Sequence, residues 1–300
     1  MFEMKVFVVL LLALASVSAG VLPKGTPVHP RDRVRSLSIQ NRIINGRDAV
    51  DGEVPYQVGM AFFDDSGSGW WCGGSFIDKE HVLTAAHCTI GWVTERGETS
   101  SKIENEYLNL DNLENASFVF IYEGSAKLGS ATIIVVDGSE LTTHESYNPY
   151  NLRNDIALVR TPVHHFTELI NKIALPKKAS NCDAHEGKTA QISGFGLISD
   201  SSTSIHETLQ IAKAPIIPNI ECSNYYGTSV VTERNVCINT EKGSSTCRGD
   251  SGGPLVVNGV QVGITSFGSI FGCEVGAPTG FTCVSYFLDW IRKHTKAEHE

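Results

Sequence analysis

The clearest chemistry lies at residues 246–254, where Thr246-Cys247-Arg248-Gly249-Asp250-Ser251-Gly252-Gly253-Pro254 sets a serine among glycines with an aspartate directly before it. A serine on such a turn is expected to be an exposed nucleophile, and the backbone N–H groups beside it can stabilise an oxyanion, which is the chemistry of acyl transfer. Gly/Ser-rich loops also occur as plain turns, so the assignment depends on partners elsewhere. His87 follows Val82-Leu83-Thr84-Ala85-Ala86 and precedes Cys88, so a strand delivers it beside a cysteine. A Cys72–Cys88 bridge would close a loop of about 15 residues, worth roughly 3 kcal/mol in the chain-entropy view, and would hold His87 firmly. Asp155 precedes the apolar run Ile156-Ala157-Leu158-Val159. There it either caps a strand or faces inward and needs partners.

The elements that must position these groups are mostly strands. From Tyr56 onward short alternating or apolar runs are punctuated by Gly, Asn, Asp and Pro, the pattern of antiparallel barrels. Asn258-Gly259 between Pro254-Leu255-Val256-Val257 and Val260-Gln261-Val262-Gly263-Ile264 marks a hairpin with a type I′ turn. One convincing helix is expected, at the C-terminal end, with Phe287, Leu288, Trp290 and Ile291 on one face and Arg292, Lys293, His294 and Lys296 near its end.

Three hundred residues suggest about two domains, and a formal charge of −9 with no basic stripe argues against nucleic acid and acidic membranes as partners. Residues 1–19 carry Lys5, a short apolar run and Val17-Ser18-Ala19, the form of a secretory signal cleaved after Ala19. Residues 20–42 hold three prolines, several arginines and no cysteine, and read as a pro-segment. Cleavage after Arg42 would free an α-amino group on Ile43. A buried amine needs a negative partner, and Asp250 is the natural one, making proteolysis a switch for the loops around Ser251. Eight cysteines in a secreted chain, with no Cys-x-x-Cys, favour disulfides over metal ligation.

Ile43-Ile44-Asn45-Gly46, Thr84-Ala85-Ala86-His87-Cys88, Asp155-Ile156-Ala157-Leu158 and Gly249-Asp250-Ser251-Gly252-Gly253-Pro254 occur in this order. Together they resemble the trypsin/chymotrypsin family of secreted serine endopeptidases over residues 43–293. Ser266-Phe267-Gly268-Ser269 and Gly272-Cys273-Glu274-Val275-Gly276 are most similar to the chymotrypsin-like and collagenolytic digestive enzymes of arthropods.

The resemblance implies an all-β fold of two six-stranded antiparallel β-barrels with a C-terminal α-helix and the active site in the cleft between them. The expected parts are a signal peptide (1–19), an activation pro-peptide (20–42) and a protease domain (43–300). Within it, residues 43–165 would form the first barrel, 166–285 the second and 285–296 the helix. The resemblance assigns catalysis to His87, Asp155 and Ser251, and the oxyanion hole to Gly249 and Ser251. It assigns activation to Arg42, Ile43 and Asp250. Substrate contacts fall to Ser245, Ser266, Phe267, Gly268 and Thr279, with the Ser266 hydroxyl near Asp155. Ser245 stands six residues before the nucleophile, where trypsin-like relatives carry an aspartate; a neutral base disfavours Lys or Arg and favours a large apolar side chain before the cut. Gly268 would keep the entrance open and the Thr279 methyl would narrow the pocket.

Family pairings imply Cys72–Cys88, Cys222–Cys237 and Cys247–Cys273, leaving Cys182 and Cys283 as a fourth pair out of strict register. No metal or other cofactor is expected. The partners implied are protein or peptide substrates and an activating trypsin-like protease, and the chain is expected to act as a monomer.

The clearest departure from the family is the acidic segment 90–115 after His87, which lengthens the spacing to Asp155 by roughly twenty residues, as a surface loop tolerates at small entropic cost. It reads as an inert loop or a retained in-frame intron rather than a shield of the leaving-group side. Asn115-Ala116-Ser117 within it is a weak glycosylation sequon. The reading is therefore a zymogen-activated digestive endopeptidase. Its rivals are a catalytically silent homologue with a binding role, which would ordinarily have lost a triad residue, and a cascade protease, which would often carry a cysteine-rich N-terminal module.

Overall fold

The computed structural model describes residues 27–28, 43–44, 46–92, 113–178 and 182–295. The expected signal peptide (1–19), Arg42 and most of the expected pro-segment (20–42) lie outside the described residues. In chain order the strands are β1 (Pro27–Val28), β2 (Arg47–Asp48), β3 (Gln57–Phe63), β4 (Gly69–Phe76), β5 (His81–Thr84), β6 (Ile90–Trp92), β7 (Leu113–Asn115), β8 (Phe118–Glu123) and β9 (Thr132–Asp137). They continue as β10 (Leu141–Thr143), β11 (Ala157–Arg160), β12 (Thr189–Gly194), β13 (Gln210–Ile217), β14 (Asn235–Ile238), β15 (Pro254–Val257), β16 (Val260–Ser269) and β17 (Thr279–Cys283). Three α-helices join them: α1 (Ala86–Thr89), α2 (Asn219–Tyr226) and α3 (Leu288–His294).

All the ladders are antiparallel. The second half closes on itself: β12, β13, β14, β17, β16 and β15 pair in a ring, giving a six-stranded barrel. The first half runs β10-β11-β5-β4-β3-β8-β9, seven strands whose ends are not laddered to each other among the described residues, so it is a half-barrel. Alternation on β8 sends Val119 and Ile121 into the core and leaves Phe118, Phe120 and Tyr122 half-buried outside, as period-two side chains must. Asn258 and Gly259 have φ of 52° and 78°, the positive pair a type I′ turn requires, and Val257 pairs with Val260 across it.

Two of the contacts that tie the halves together come from the ends of the domain. Strand β2 pairs with β13 of the closed barrel. At the other terminus Leu288, Trp290 and Ile291 of α3 pack into the same apolar cluster as Val82, Leu83 and Ile156 of the first half. The expectation of one convincing helix needs correction: α2 is a second, starting just after Pro218 and burying Cys222 and Tyr226 four residues apart. Its apolar face is two residues wide, too little for periodicity to reveal. The extra segment leaves at β6 and returns at β7, whose pairing of Ile90 with Asn115 and Trp92 with Leu113 closes its base, with Asn115 exposed. Residues 93–112 lie outside the described residues.

Candidate active site

His87 lies in α1, immediately after β5, and Cys88 is bonded to Cys72 of β4, pinning the single turn to the sheet. Asp155 precedes β11, which pairs with β5 so that Ala157 stands opposite Thr84. That register brings the two side chains together. The His87 backbone N–H donates to Asp155 Oδ1 at 2.9 Å, and His87 Nδ1 meets Oδ2 at 2.8 Å. The Ser266 hydroxyl donates to the same Oδ2 at 2.6 Å, where the sequence places it. Thr282 Oγ1 donates to the Asp155 carbonyl at 2.7 Å. The carboxylate oxygens can only accept, so Nδ1 carries the ring proton that faces them.

Ser251 arrives on a loop of the closed barrel that fits against the first half through glycines. The Gly73 N–H donates to the Ser251 carbonyl at 2.7 Å. At Gly252, φ is 77° and a Cβ would stand 2.1 Å from Thr84 Oγ1 and 2.5 Å from the Gly73 carbonyl oxygen. Only glycine lets the loop approach the strand that ends three residues before His87. Gly249 takes φ of 91°, also the left-handed region. The expected exposure of the serine is corrected: Ser251 and His87 each expose 0% of their surface.

Asp250 is wholly buried, with Oδ1 accepting from Gly196 N at 2.8 Å and Oδ2 from Cys247 N at 2.9 Å. A Cβ on Gly194 or Gly196 would stand 2.1 or 2.6 Å from its carboxyl group, so both glycines make room for it. Burial pushes the Asp250 carboxyl up to about 7 against those two hydrogen bonds. Ile43 is also fully buried, and Ile44 bridges to Ser245.

The Ser245 hydroxyl donates to the Thr246 carbonyl at 2.9 Å and lies 3.2 Å from Thr279 Oγ1. Phe267 lies flat over Gly280, where a Cβ would fall 2.1 Å from the ring, and meets Tyr226 edge-on at 5.2 Å. Nothing stands within 4 Å of a Cβ placed on Gly268.

The sequence and the site now meet on one comparison, because a family model described as Trypsin matches residues 43–291. The chain belongs to the trypsin family. Brachyurin of Leptuca pugilator is 38% identical over 256 residues, covering 84% of this chain and 98% of that protein. Serine protease 1 of Drosophila melanogaster is 41% identical over 262 residues, 86% of this chain and 87% of that protein. A solved structure of HL collagenase matches with a TM-score of 0.71 at 32% identity, covering 85% of this chain and 100% of that one. This trypsin-family chain is a serine-type endopeptidase, a hydrolase of protein substrates.

The endopeptidase carries four disulfides: Cys72–Cys88, Cys222–Cys237, Cys247–Cys273 and Cys182–Cys283. The last, out of register in sequence, spans Cα atoms 6.1 Å apart. The sulfurs beside His87 are thus joined and offer a cation no thiolate. Sequence reasoning missed the supports. Thr282 on β17 holds the Asp155 backbone, Gly73 holds the Ser251 carbonyl, and Gly194 and Gly196 cradle Asp250. The paired glycines of Gly194-Phe195-Gly196 were a readable signal; Thr282 carries none, since it becomes a site residue only when β17 folds beside β11's approach.

Proposed function

We propose that the chain is a secreted digestive endopeptidase, made as a precursor, that cuts after large apolar residues. Removal of residues 1–19 and cleavage after Arg42 would leave 43–300 as a monomeric extracellular enzyme, for which disulfides are apt. In this reading Ser251 Oγ attacks the scissile carbonyl carbon while His87 Nε2 takes its proton. Asp155 keeps the ring in the right tautomer and stabilises the imidazolium without taking the proton itself. The carbonyl electron pair moves onto oxygen, where the N–H groups of Gly249 and Ser251 would receive it. Collapse expels the amine, which leaves with the proton from His87. Water, deprotonated by the same ring, then cleaves the acyl-enzyme and regenerates Ser251.

The specificity is carried by one observation, the hydroxyl pair of Ser245 and Thr279, two residues that the family resemblance puts at the pocket base. An incoming Lys or Arg would be buried against neutral groups, a cost that a large apolar side chain avoids. Relatives named collagenase and chymotrypsin favour a degradative role over a signalling one. Cleavage after Arg42 would add an amine at Ile43, whose charge compensates the buried Asp250 carboxylate.

The test is a panel of short amides ending in Phe, Tyr, Leu, Met or Arg, offered to the chain after cleavage behind Arg42. Apolar residues should lead; preference for Arg refutes the pocket argument. Activity that survives Ser251→Ala refutes the nucleophile.

A further inference from the structure

Asp155 is reached through the loop between β10 and β11, and that loop takes two conformations that L residues avoid. Leu152 has φ of 58° and Asn154 φ of 59°; among the described residues the one other non-glycine in that region is Asn258, which its type I′ turn explains. The residue after Asn154 is the candidate catalytic aspartate. The Ile156 N–H donates to the Asn154 carbonyl at 2.9 Å, so Asp155 stands at the centre of a three-residue turn. A turn that tight sets the direction in which the Asp155 carboxyl leaves the backbone. Backbone of this kind persists only where its surroundings over-determine it, so the outlier itself points to a role.

Those surroundings come from the other half of the molecule. Leu152 is buried in the apolar cluster that holds Tyr226 and Phe267. Asn154 Oδ1 accepts from Arg234 Nη1 at 2.9 Å, while Asn154 Nδ2 donates to the Ser146 carbonyl at 2.7 Å. Arg234 stands just before β14, with its guanidinium carbon 4.9 Å from the centre of the Tyr286 ring and its Nε 3.7 Å from Glu233 Oε1. The Arg234 carbonyl accepts from the Cys283 N–H at 2.8 Å, and Thr282, one residue earlier on β17, holds the Asp155 carbonyl. Strands β14 and β17 pair with Asn235 opposite Thr282. Consecutive residues 154 and 155 are therefore held by two neighbouring strands of the closed barrel.

We propose that Arg234 is a positioning residue for the reaction: by locking the Asn154 side chain it holds the strained turn that aims the Asp155 carboxylate at His87. This rests on the endopeptidase reading above. Asparagine tolerates the left-handed region but does not require it, so an Asn154 with a free side chain could relax and swing Asp155 with it. Holding the amide at both ends, by Arg234 and by the Ser146 carbonyl, leaves one backbone conformation. A guanidinium seated on an aromatic ring beside a carboxylate is already ordered, so it gives up little freedom in making the bond.

The test uses the chain cleaved behind Arg42, with active sites counted by a phosphonylating reagent on Ser251. The parent is first assayed on a Phe- or Leu-ended amide. No hydrolysis there counts against the endopeptidase reading alone, because the His87 Nδ1 proton, read as a far-downfield NMR resonance, needs no turnover. Arg234→Met keeps a stem over Tyr286 and removes the donor and the charge. It should lower kcat per titrated site by about tenfold with KM little changed, and should shift or broaden the His87 resonance. Asn154→Ala removes the same bond from its other end and should do likewise. The double variant should be no slower than Asn154→Ala alone, whereas an effect of the Arg234 charge through space would persist in that background and make the losses multiply. An unchanged His87 resonance, a loss carried by KM, or losses that multiply in the double variant each overturn the proposal.

Discussion

The buried Asp250 makes the uncleaved chain sensitive to pH in a way the cleaved chain should not be. Burial pushes its carboxyl up to about 7 in the folded chain, from an ordinary 3.8, against the two hydrogen bonds that favour its charge. A folded value above the unfolded one means the folded state holds the extra proton between them, so stability is present at low pH and declines as pH rises towards 7. From pH 5 to pH 7 this amounts to about 2 kcal/mol, because the full slope of ~1.4 kcal/mol per unit fades as the folded group itself begins to ionise. For a domain of this size that is roughly 4–8 °C in Tm. In the activation proposed above, the amine freed on Ile43 would favour the ionised carboxylate and should remove this decline. The assay is the difference in Tm between cleaved and uncleaved chain, both carrying Ser251→Ala to stop autolysis, at pH 5, 6 and 7. Groups common to both forms cancel, so the gap should widen with pH by about 2 kcal/mol. A gap that stays flat, or one that widens equally in Asp250→Asn, refutes the account.

Ser266→Ala removes one of the donors on the buried Asp155 carboxylate. A hydrogen bond to a charged group contributes about 1.5–3 kcal/mol, so kcat should fall about tenfold to a hundredfold with KM little changed, as steady-state kinetics would show. Gly280→Ala drives a methyl into the Phe267 ring. It should cost about 1–3 kcal/mol in denaturant unfolding and raise KM for Phe-ended substrates more than for small ones. His164 Nε2 lies 2.9 Å from Glu123 Oε2 in the first half, both buried, and burial raises the Glu123 carboxyl while His164 opposes the shift. His164→Ala leaves that carboxylate alone and should cost about 3–5 kcal/mol near pH 8, less near pH 5 where protonation relieves it; adding Glu123→Gln should recover part of the loss.

Much of the site was legible because its chemistry is written in short motifs. His87 beside Cys88, Asp155 before an apolar run and Ser251 among glycines each state a residue type and a local conformation together. Asn258-Gly259 was legible for the same reason, since two positive φ angles admit few sequences. What was not legible depends on pairs far apart in the chain. Thr282 is an ordinary strand threonine until β17 is placed, and α2 shows only Cys222 and Tyr226 as its buried stripe. The half-barrel differs from the expected closed ring because closure depends on whether β9 and β10 ladder, and neither strand's sequence specifies that. The burial of Ser251 and His87 was misjudged because a glycine-rich loop predicts local exposure and says nothing about what lies over it.

The supports decide how the active site can be assembled at all. Asp155 and His87 belong to the first half, yet the Asp155 carbonyl is held by Thr282 and its carboxylate by Ser266, both from the closed barrel. Ser251 belongs to the closed barrel, yet its carbonyl is held by Gly73 of β4. Each half therefore holds the other's candidate catalytic group, and neither alone carries the candidate site. The Ser251 loop is fixed on one side by Gly252 against Thr84 and on the other by Asp250 among Gly194, Gly196 and Cys247. The first contact is steric and independent of charge; the second is electrostatic and rests on a carboxyl that burial disfavours in its ionised form. The proposed cut after Arg42 would act on the second alone. Activation so read would be a change of charge compensation at one end of a loop whose other end is already in place, with no movement of the barrels required.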